Sequence, residues 1–275
     1  NRAGYLENLK RYPEAIAGYD HLLRLQPDHA SARSRQLHLR LKCCDWRDYH
    51  AQVAAICTAI AECHDADSPF GFLSISHSPA LQLACARLRN GDQFSGHGLA
   101  TWRERFNVGK DDAPRKLRIG YLSSDFREHP MSYLMAEMLE LHDRDRFEII
   151  GVSYGHWPDS PARRRNLAAF DRVIDIDALD DAAAASQIEA MGIDIAVDLN
   201  GLTAHMRAGV LARRPAPIQA TYMGYPGSTG LECIDYVIAD RHLIPLDEQQ
   251  YFSEHVVYLP DTYQANDRKR SIATA

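Results

Sequence analysis

The chain has no apolar run approaching the roughly 20 residues that cross a bilayer, so no membrane-spanning segment and no membrane partner are expected. It also lacks a basic excess. Its 31 Lys and Arg stand against 37 Asp and Glu, a formal net charge of −6, which argues against a general phosphate-binding surface and against a nucleic-acid partner. Six cysteines are present, but none forms a CxxC pair or a CxxC…HxxxH array. A zinc site is therefore not expected, and free buried thiols in a reducing compartment are. There is no GK[ST] ending of a Walker loop, no GxGxxG, and no GxSxG elbow, which removes three common routes to phosphate binding and acyl transfer. No secretory signal opens the sequence, so a cytoplasmic protein is expected. Asn1 is not a natural start and Ala275 is not an evident end, so the chain is expected to be a piece of a longer one.

At 275 residues, 45% hydrophobic and 25% charged, the chain can bury a core and suggests two domains. Residues Tyr12 to Pro27 place Ala15, Ile16, Tyr19, Leu22, Leu23 and Leu25 at helical spacing, with Pro13 in the first turn and Pro27 past the end. GYLENLKRY from Gly4 precedes it and SARSRQLHLRLKCCDW from Ser31 follows, giving helix–turn–helix–turn–helix. The small residue, aromatic and terminal proline resemble a tetratricopeptide repeat, and one repeat cannot bury its own apolar face, so a longer array is expected. Helical patterning continues through AQVAAICTAIAEC from Ala51 and PALQLACARLRN from Pro79, separated by the polar loop DADSPFGFLSISHS from Asp65. The charged, Gly- and Pro-containing NVGKDDAPRK from Asn107 reads as a linker. It divides an all-α region, residues 1–106, from residues 107–275.

Past the linker the period changes. Short apolar strands begin at Leu117, Phe147, Arg172, Ile193, Ile218, Tyr236 and His255. Helix-like segments lie between the first five: MSYLMAEMLELH, ARRRNLAAF, DDAAAASQIEAMG and TAHMRAGVLARR. That alternation predicts βαβ units and a parallel α/β sheet covered on both faces, with ligands outside the carboxyl ends of the strands. Four strand ends carry polar, glycine or proline chemistry: SSDFREHP, SYGHWPDS, DLNGLTAH and MGYPGSTG. His129 stands before Pro130 at a helix start, where the positive helix end disfavours an imidazolium. It reads equally as a helix cap or as a group that accepts a proton or orients a hydroxyl, with Asp125 as partner. MGYPGSTG, from Met223, reads as a plain tight turn or as a loop whose glycines admit a ligand to the backbone amides. Arg213 and Arg214 are either solvated or anion-facing. Asp198, Asn200, Thr203 and His205 either give the fourth rim loop its donors and acceptors or are plain solvent-facing polarity, and Asp235 and Asp240 read as turn residues.

LRIGYLSSDFREHPMSYLM (Leu117 to Met135), DLNGLTAHMRAGVLARRPAPIQATYMGYPGSTG (Asp198 to Gly230) and DYVIADRHLIP (Asp235 to Pro245) resemble the amino-terminal catalytic lobe of the protein O-GlcNAc transferase family. The helical part, including CDWRDY from Cys44, resembles the end of that family's tetratricopeptide superhelix. The resemblance implies one Rossmann-like lobe of a two-lobed GT-B glycosyltransferase. It implies transfer of N-acetylglucosamine from UDP-GlcNAc to Ser or Thr hydroxyls of proteins, inverting, with no metal and no cofactor beyond the UDP-sugar donor. Protein or peptide acceptors would run along the tetratricopeptide groove. His129 matches the family's active-site histidine, which contacts the sugar and acceptor region, and Asp125 matches its neighbouring aspartate. Met223 and Gly224 fall where the family's loop touches the sugar, and Tyr225, Pro226 and Gly227 continue that wall. Met131 replaces a threonine of animal relatives. His77 matches a histidine flanking the acceptor groove, and Ser68 stands where animal members have another. The lobe that supplies the lysine and most uridine diphosphate contacts is expected beyond Ala275. The alternatives are a SPINDLY-type protein O-fucosyltransferase using GDP-fucose and a non-enzymatic repeat scaffold.

Overall fold

The computed structural model describes residues 2–90, 94 and 115–270. The chain divides into two compact units, Asn1–Gly91 and Asp92–Ala275. Of the linker expected from Asn107, only Arg115 and Lys116 lie among the described residues.

The first unit is helical: α1 (Arg2–Asn8), α2 (Tyr12–Leu25), α3 (Ala30–Lys42), α4 (Tyr49–Ala61), α5 (Pro69–Phe72) and α6 (Pro79–Asn90). α2 forms where its apolar period predicts, with Pro13 in the first turn, Glu14 at the positive end and Arg24 at the negative end. Its buried Ala15 and Tyr19 share a core with Ala3 and Leu6 of α1 and Ala32 and Leu39 of α3. A second core joins Leu37 of α3, Ile56 and Ile60 of α4, and Cys85 of α6. The segment from Asp65, expected as a polar loop, instead carries α5, because Ala66, Phe72 and Ile75 enter that second core. Ser68 caps α5 by accepting from Gly71 N. All six cysteines are free, but only Cys85 and Cys233 are buried. Cys43, Cys44 and Cys63 are exposed, contrary to the expectation of burial, because they lie just past the ends of α3 and α4.

The second unit is one sheet of seven parallel strands: β1 (Leu117–Ser123), β2 (Phe147–Ser153), β3 (Arg172–Asp175), β4 (Ile195–Asp198), β5 (Ile218–Tyr222), β6 (Tyr236–Ala239) and β7 (His255–Tyr258). All seven strands expected from sequence form. The helices α7 (Pro130–Glu140), α8 (Pro161–Ala168), α9 (Asp181–Ala190) and α10 (Ala208–Ala212) connect the first five. The order is β3-β2-β1-β4-β5-β6-β7, with every neighbouring pair parallel. This is a Rossmann-like doubly wound sheet. Its strand order reverses between β1 and β4, so the loops leaving these two strands flank the crevice where such sheets bind ligands.

α10 is much shorter than the helix expected over TAHMRAGVLARR. The segment before it is taken up by a turn in which Thr203 Oγ1 donates to Asn200 O (3.0 Å) and His205 has φ +62°. Arg207 then ties the chain to Ile176 O (2.7 Å), Leu179 O (2.8 Å) and Asp181. Arg214 is neither solvated nor free for an anion: it is buried, and its Nη2 donates to both carboxylate oxygens of Asp235 at 2.7 and 2.8 Å. Among the described residues, no helix is long and apolar enough to cross a membrane.

Candidate functional site at the switch point

The loop after β1 is built by its own hydroxyls. Ser123 Oγ accepts from Asp125 N (2.9 Å). The buried Ser132 of α7 donates to Asp125 O (2.6 Å) and accepts from Arg127 N (3.1 Å). This curls the chain so that His129 lands at the N-cap of α7, with Pro130 in the first turn. His129 Nδ1 accepts from Met131 N at 3.3 Å. A neutral ring accepting at Nδ1 carries its hydrogen on Nε2, leaving Nε2–H as the donor available to a ligand. Burial pushes the imidazole below its ordinary pKa. Asp125, with Oδ2 3.8 Å from Nδ1, pulls it up, and Arg127 pushes it further down. His129 is therefore the helix cap, one of its two sequence alternatives, and its ring stands half-buried on the rim.

Asp125 is buried, and its carboxylate is held from two sides. Oδ1 accepts from Arg127 Nε at 3.1 Å, and Oδ2 from Asn200 Nδ2 at 3.1 Å. The Arg127 guanidinium lies 4.1 Å over the Trp157 ring from the β2 loop, and Trp157 Nε1 donates to Ser124 O (2.6 Å). Asn200, from the β4 loop, thus meets the β1 loop directly across the switch point. Asp198, at the end of β4, accepts from Asn200 N (3.0 Å) and Gly201 N (2.8 Å), and burial pushes its carboxyl up to about 6.

The MGYPGSTG loop closes on the same rim. A Cβ added at Gly224 would lie 2.0 Å from Leu199 O, so only glycine lets this loop pass the β4 loop. Met223 has φ +67° and packs in the apolar cluster that contains Met131, Met135 and Leu199. Tyr225 and Gly227 are buried and Pro226 is exposed. Behind the loop the buried Glu254, just before β7, accepts from Ser228 Oγ (2.7 Å), Thr229 N (2.7 Å) and Thr229 Oγ1. Asp125, His129, Met131 and residues 223–227 are thus gathered on one rim. His77 belongs to the helical unit, exposed between Ser76 and Ser78. Ser132, Trp157 and Glu254 are not singled out by the sequence, whereas Asn200 is there one of the polar residues of the β4 loop, open between ligand-facing and solvent-facing. Asn200 carries the one available signal, an Asn-Gly directly after a strand. Among the described residues no group of three or more His, Cys, Asp or Glu side chains is arranged to hold a metal.

A doubly wound lobe with polar loops gathered at its switch point is the architecture of Rossmann-like ligand-binding lobes. The family model of glycosyl transferase family 41 matches residues 99–274, and the chain belongs to that family. It is 37% identical over 163 residues to a probable UDP-N-acetylglucosamine–peptide N-acetylglucosaminyltransferase, SEC, of Arabidopsis thaliana, covering 59% of this chain and 17% of that protein. It is 29% identical over 244 residues to the UDP-N-acetylglucosamine–peptide N-acetylglucosaminyltransferase of Caenorhabditis elegans, covering 83% of this chain and 21% of that one. A third relative, the Arabidopsis thaliana protein named SPINDLY, is 36% identical over 159 residues, 55% of this chain and 17% of that protein. Among solved structures, a mutant of the Thermobaculum terrenum O-GlcNAc transferase matches with TM-score 0.68 at 26% identity, covering 92% of this chain and 48% of that one. The chain thus spans about a fifth of the length of the curated relatives it matches.

Proposed function

We propose that the chain carries the acceptor-side half of the active site of a cytoplasmic protein O-GlcNAc transferase, which transfers N-acetylglucosamine from UDP-GlcNAc to Ser or Thr hydroxyls with inversion and without a metal or a cofactor. The observation that carries this is the locked rim at the switch point, within a lobe matched nearly throughout by family 41. In the reaction the acceptor oxygen bonds to the anomeric carbon, the bond from that carbon to the diphosphate breaks with its electron pair leaving on the diphosphate oxygen, and the hydroxyl proton passes to that diphosphate or to solvent. His129 supplies Nε2–H to an oxygen of the sugar or acceptor. Met131, Met223, Gly224, Tyr225, Pro226 and Gly227 wall the sugar, and His77 flanks the acceptor path along the helical unit. The uridine diphosphate falls to the second lobe of the two-lobed fold that the family resemblance implies.

The test is a donor panel on the full-length protein, read by mass spectrometry of a protein acceptor. Transfer from UDP-GlcNAc is expected. Transfer from GDP-fucose alone would instead support the fucosyltransferase reading, which the SPINDLY relative keeps open. Absence of binding to either nucleotide in calorimetry would support a scaffold. In the same protein His129→Ala is expected to lower kcat by about 100-fold or more while the donor Kd changes little, as for a group that acts on the reacting atoms rather than on the nucleotide.

A further inference from the structure

Asn200 has no exposed surface, and every hydrogen-bonding capacity of its amide is used. Oδ1 accepts from the backbone N of Ser124 (2.9 Å) and from the Tyr154 hydroxyl (3.0 Å). Nδ2 donates to Ser124 Oγ (2.9 Å) and to Asp125 Oδ2 (3.1 Å). The amide cannot be turned over, because the Ser124 N–H is an obligatory donor and would then face an NH2. Its donor edge is therefore committed to Asp125. With Arg127 on the other oxygen, braced against Trp157, the carboxylate is held in one orientation, Oδ2 toward His129 Nδ1.

We propose that Asn200 is a positioning residue for the transfer reaction: it aims the Asp125 carboxylate at the His129 imidazole and so sets the proton affinity of that ring. This rests on the glycosyltransferase reading above. The titratable and charged groups around the carboxylate are Arg127 and His129 on its own loop, Tyr154 after β2 and Asp198 at the end of β4. A residue that merely ties two loops together would act through stability alone. A residue that aims a charge acts on the titration of His129.

The variant N200D is nearly isosteric and keeps the acceptor edge toward Ser124 N and Tyr154, but it replaces the donor to Asp125 with a second carboxylate. Two carboxylates this close share a proton at low pH and repel when both are ionised. In the full-length protein, kcat of N200D is expected to fall about tenfold at pH 8 and to approach the parent's as pH is lowered to 6, with donor KM within about twofold. A loss of kcat that is the same at every pH overturns the proposal. The swapped pair D125N/N200D supplies a second reading. It re-forms an amide–carboxylate hydrogen bond with the charge moved off His129, so thermal stability should return while kcat does not. Recovery of both overturns the proposal.

Histidine-labelled NMR separates this inference from the function on which it rests. In N200A the His129 midpoint should move by about half a pH unit or more from the parent's, because the Asp125 carboxylate is no longer held toward the ring. An unmoved midpoint overturns the placement of Asn200 even in an active transferase. A moved midpoint in a protein that transfers neither sugar upholds the placement and sinks the proposed function instead.

Discussion

At Gly224 the missing side chain is what lets two rim loops meet. The backbone of the β5 loop runs against Leu199 O and Asn200 Cα, with the space for a Cβ already filled at 2.0 and 3.0 Å. The obstruction is main chain, so it cannot turn aside as a side-chain tip would. Gly224→Ala is expected to cost about 2–4 kcal/mol in thermal or denaturant unfolding and to displace the loop. An unchanged midpoint would contradict the packing described. Asn200 sits on the other side of the same contact, so a strained Gly224 would be felt at Asp125. Arg213 and Arg214 could not be told apart in sequence. Both follow α10, but only Arg214 turns inward, with φ +51°, toward Asp235.

The MGYPGSTG loop is held from behind by a carboxylate that comes more than 20 residues later in sequence. Glu254 accepts from Ser228 and twice from Thr229, all of them buried. Removing it leaves those donors without their acceptor away from water, a cost of about 1–3 kcal/mol for each group left unsatisfied. Glu254→Ala is therefore expected to lower the unfolding midpoint markedly and to open the 223–230 loop to proteolysis, whereas Glu254→Gln, which keeps one acceptor oxygen, should do so less. Equal proteolysis of both variants and the parent would rule out this anchoring role. The strands and α7 to α9 were legible because their apolar period and their caps are local properties: Pro130, Ser160 and Asp180 all mark helix starts. The helix over 203–214 was misread because nothing local shows that Arg207 would be drawn to the carbonyls of residues 176 and 179.

Across the sheet unit, the segment leaving β7 returns to the far side of the β1 crossover. Tyr263 is tied to Asp240 and Tyr222, Asp267 to Arg165, and Arg268 to the buried Glu137 through its backbone N (2.7 Å) and guanidinium (2.9 Å). Arg268 holds the Glu137 carboxyl below its ordinary value, and Arg165 does the same for Glu140 and Asp267. Carboxyls depressed in the folded state stabilise it above their unfolded pKa values, and that contribution is lost as pH falls through the folded ones. Hydrogen exchange at the Arg268 amide should therefore be slow at pH 6, speed up beyond the intrinsic trend below about pH 4, and be fast at both in Glu137→Ala. Slow exchange in that variant would show that the return segment is held by something else. Composition and period were enough to establish a helical region, seven strands and the polar ends of four of them, because burial of alternating or continuous apolar stretches is decided within each element. They could not establish the order β3-β2-β1-β4-β5-β6-β7, which is set by how strands distant in sequence pair. That order brings Asn200 to Asp125 across 75 residues. With it, His129 passes from a residue before a helix to one side of a charge pair whose geometry a third residue holds in place.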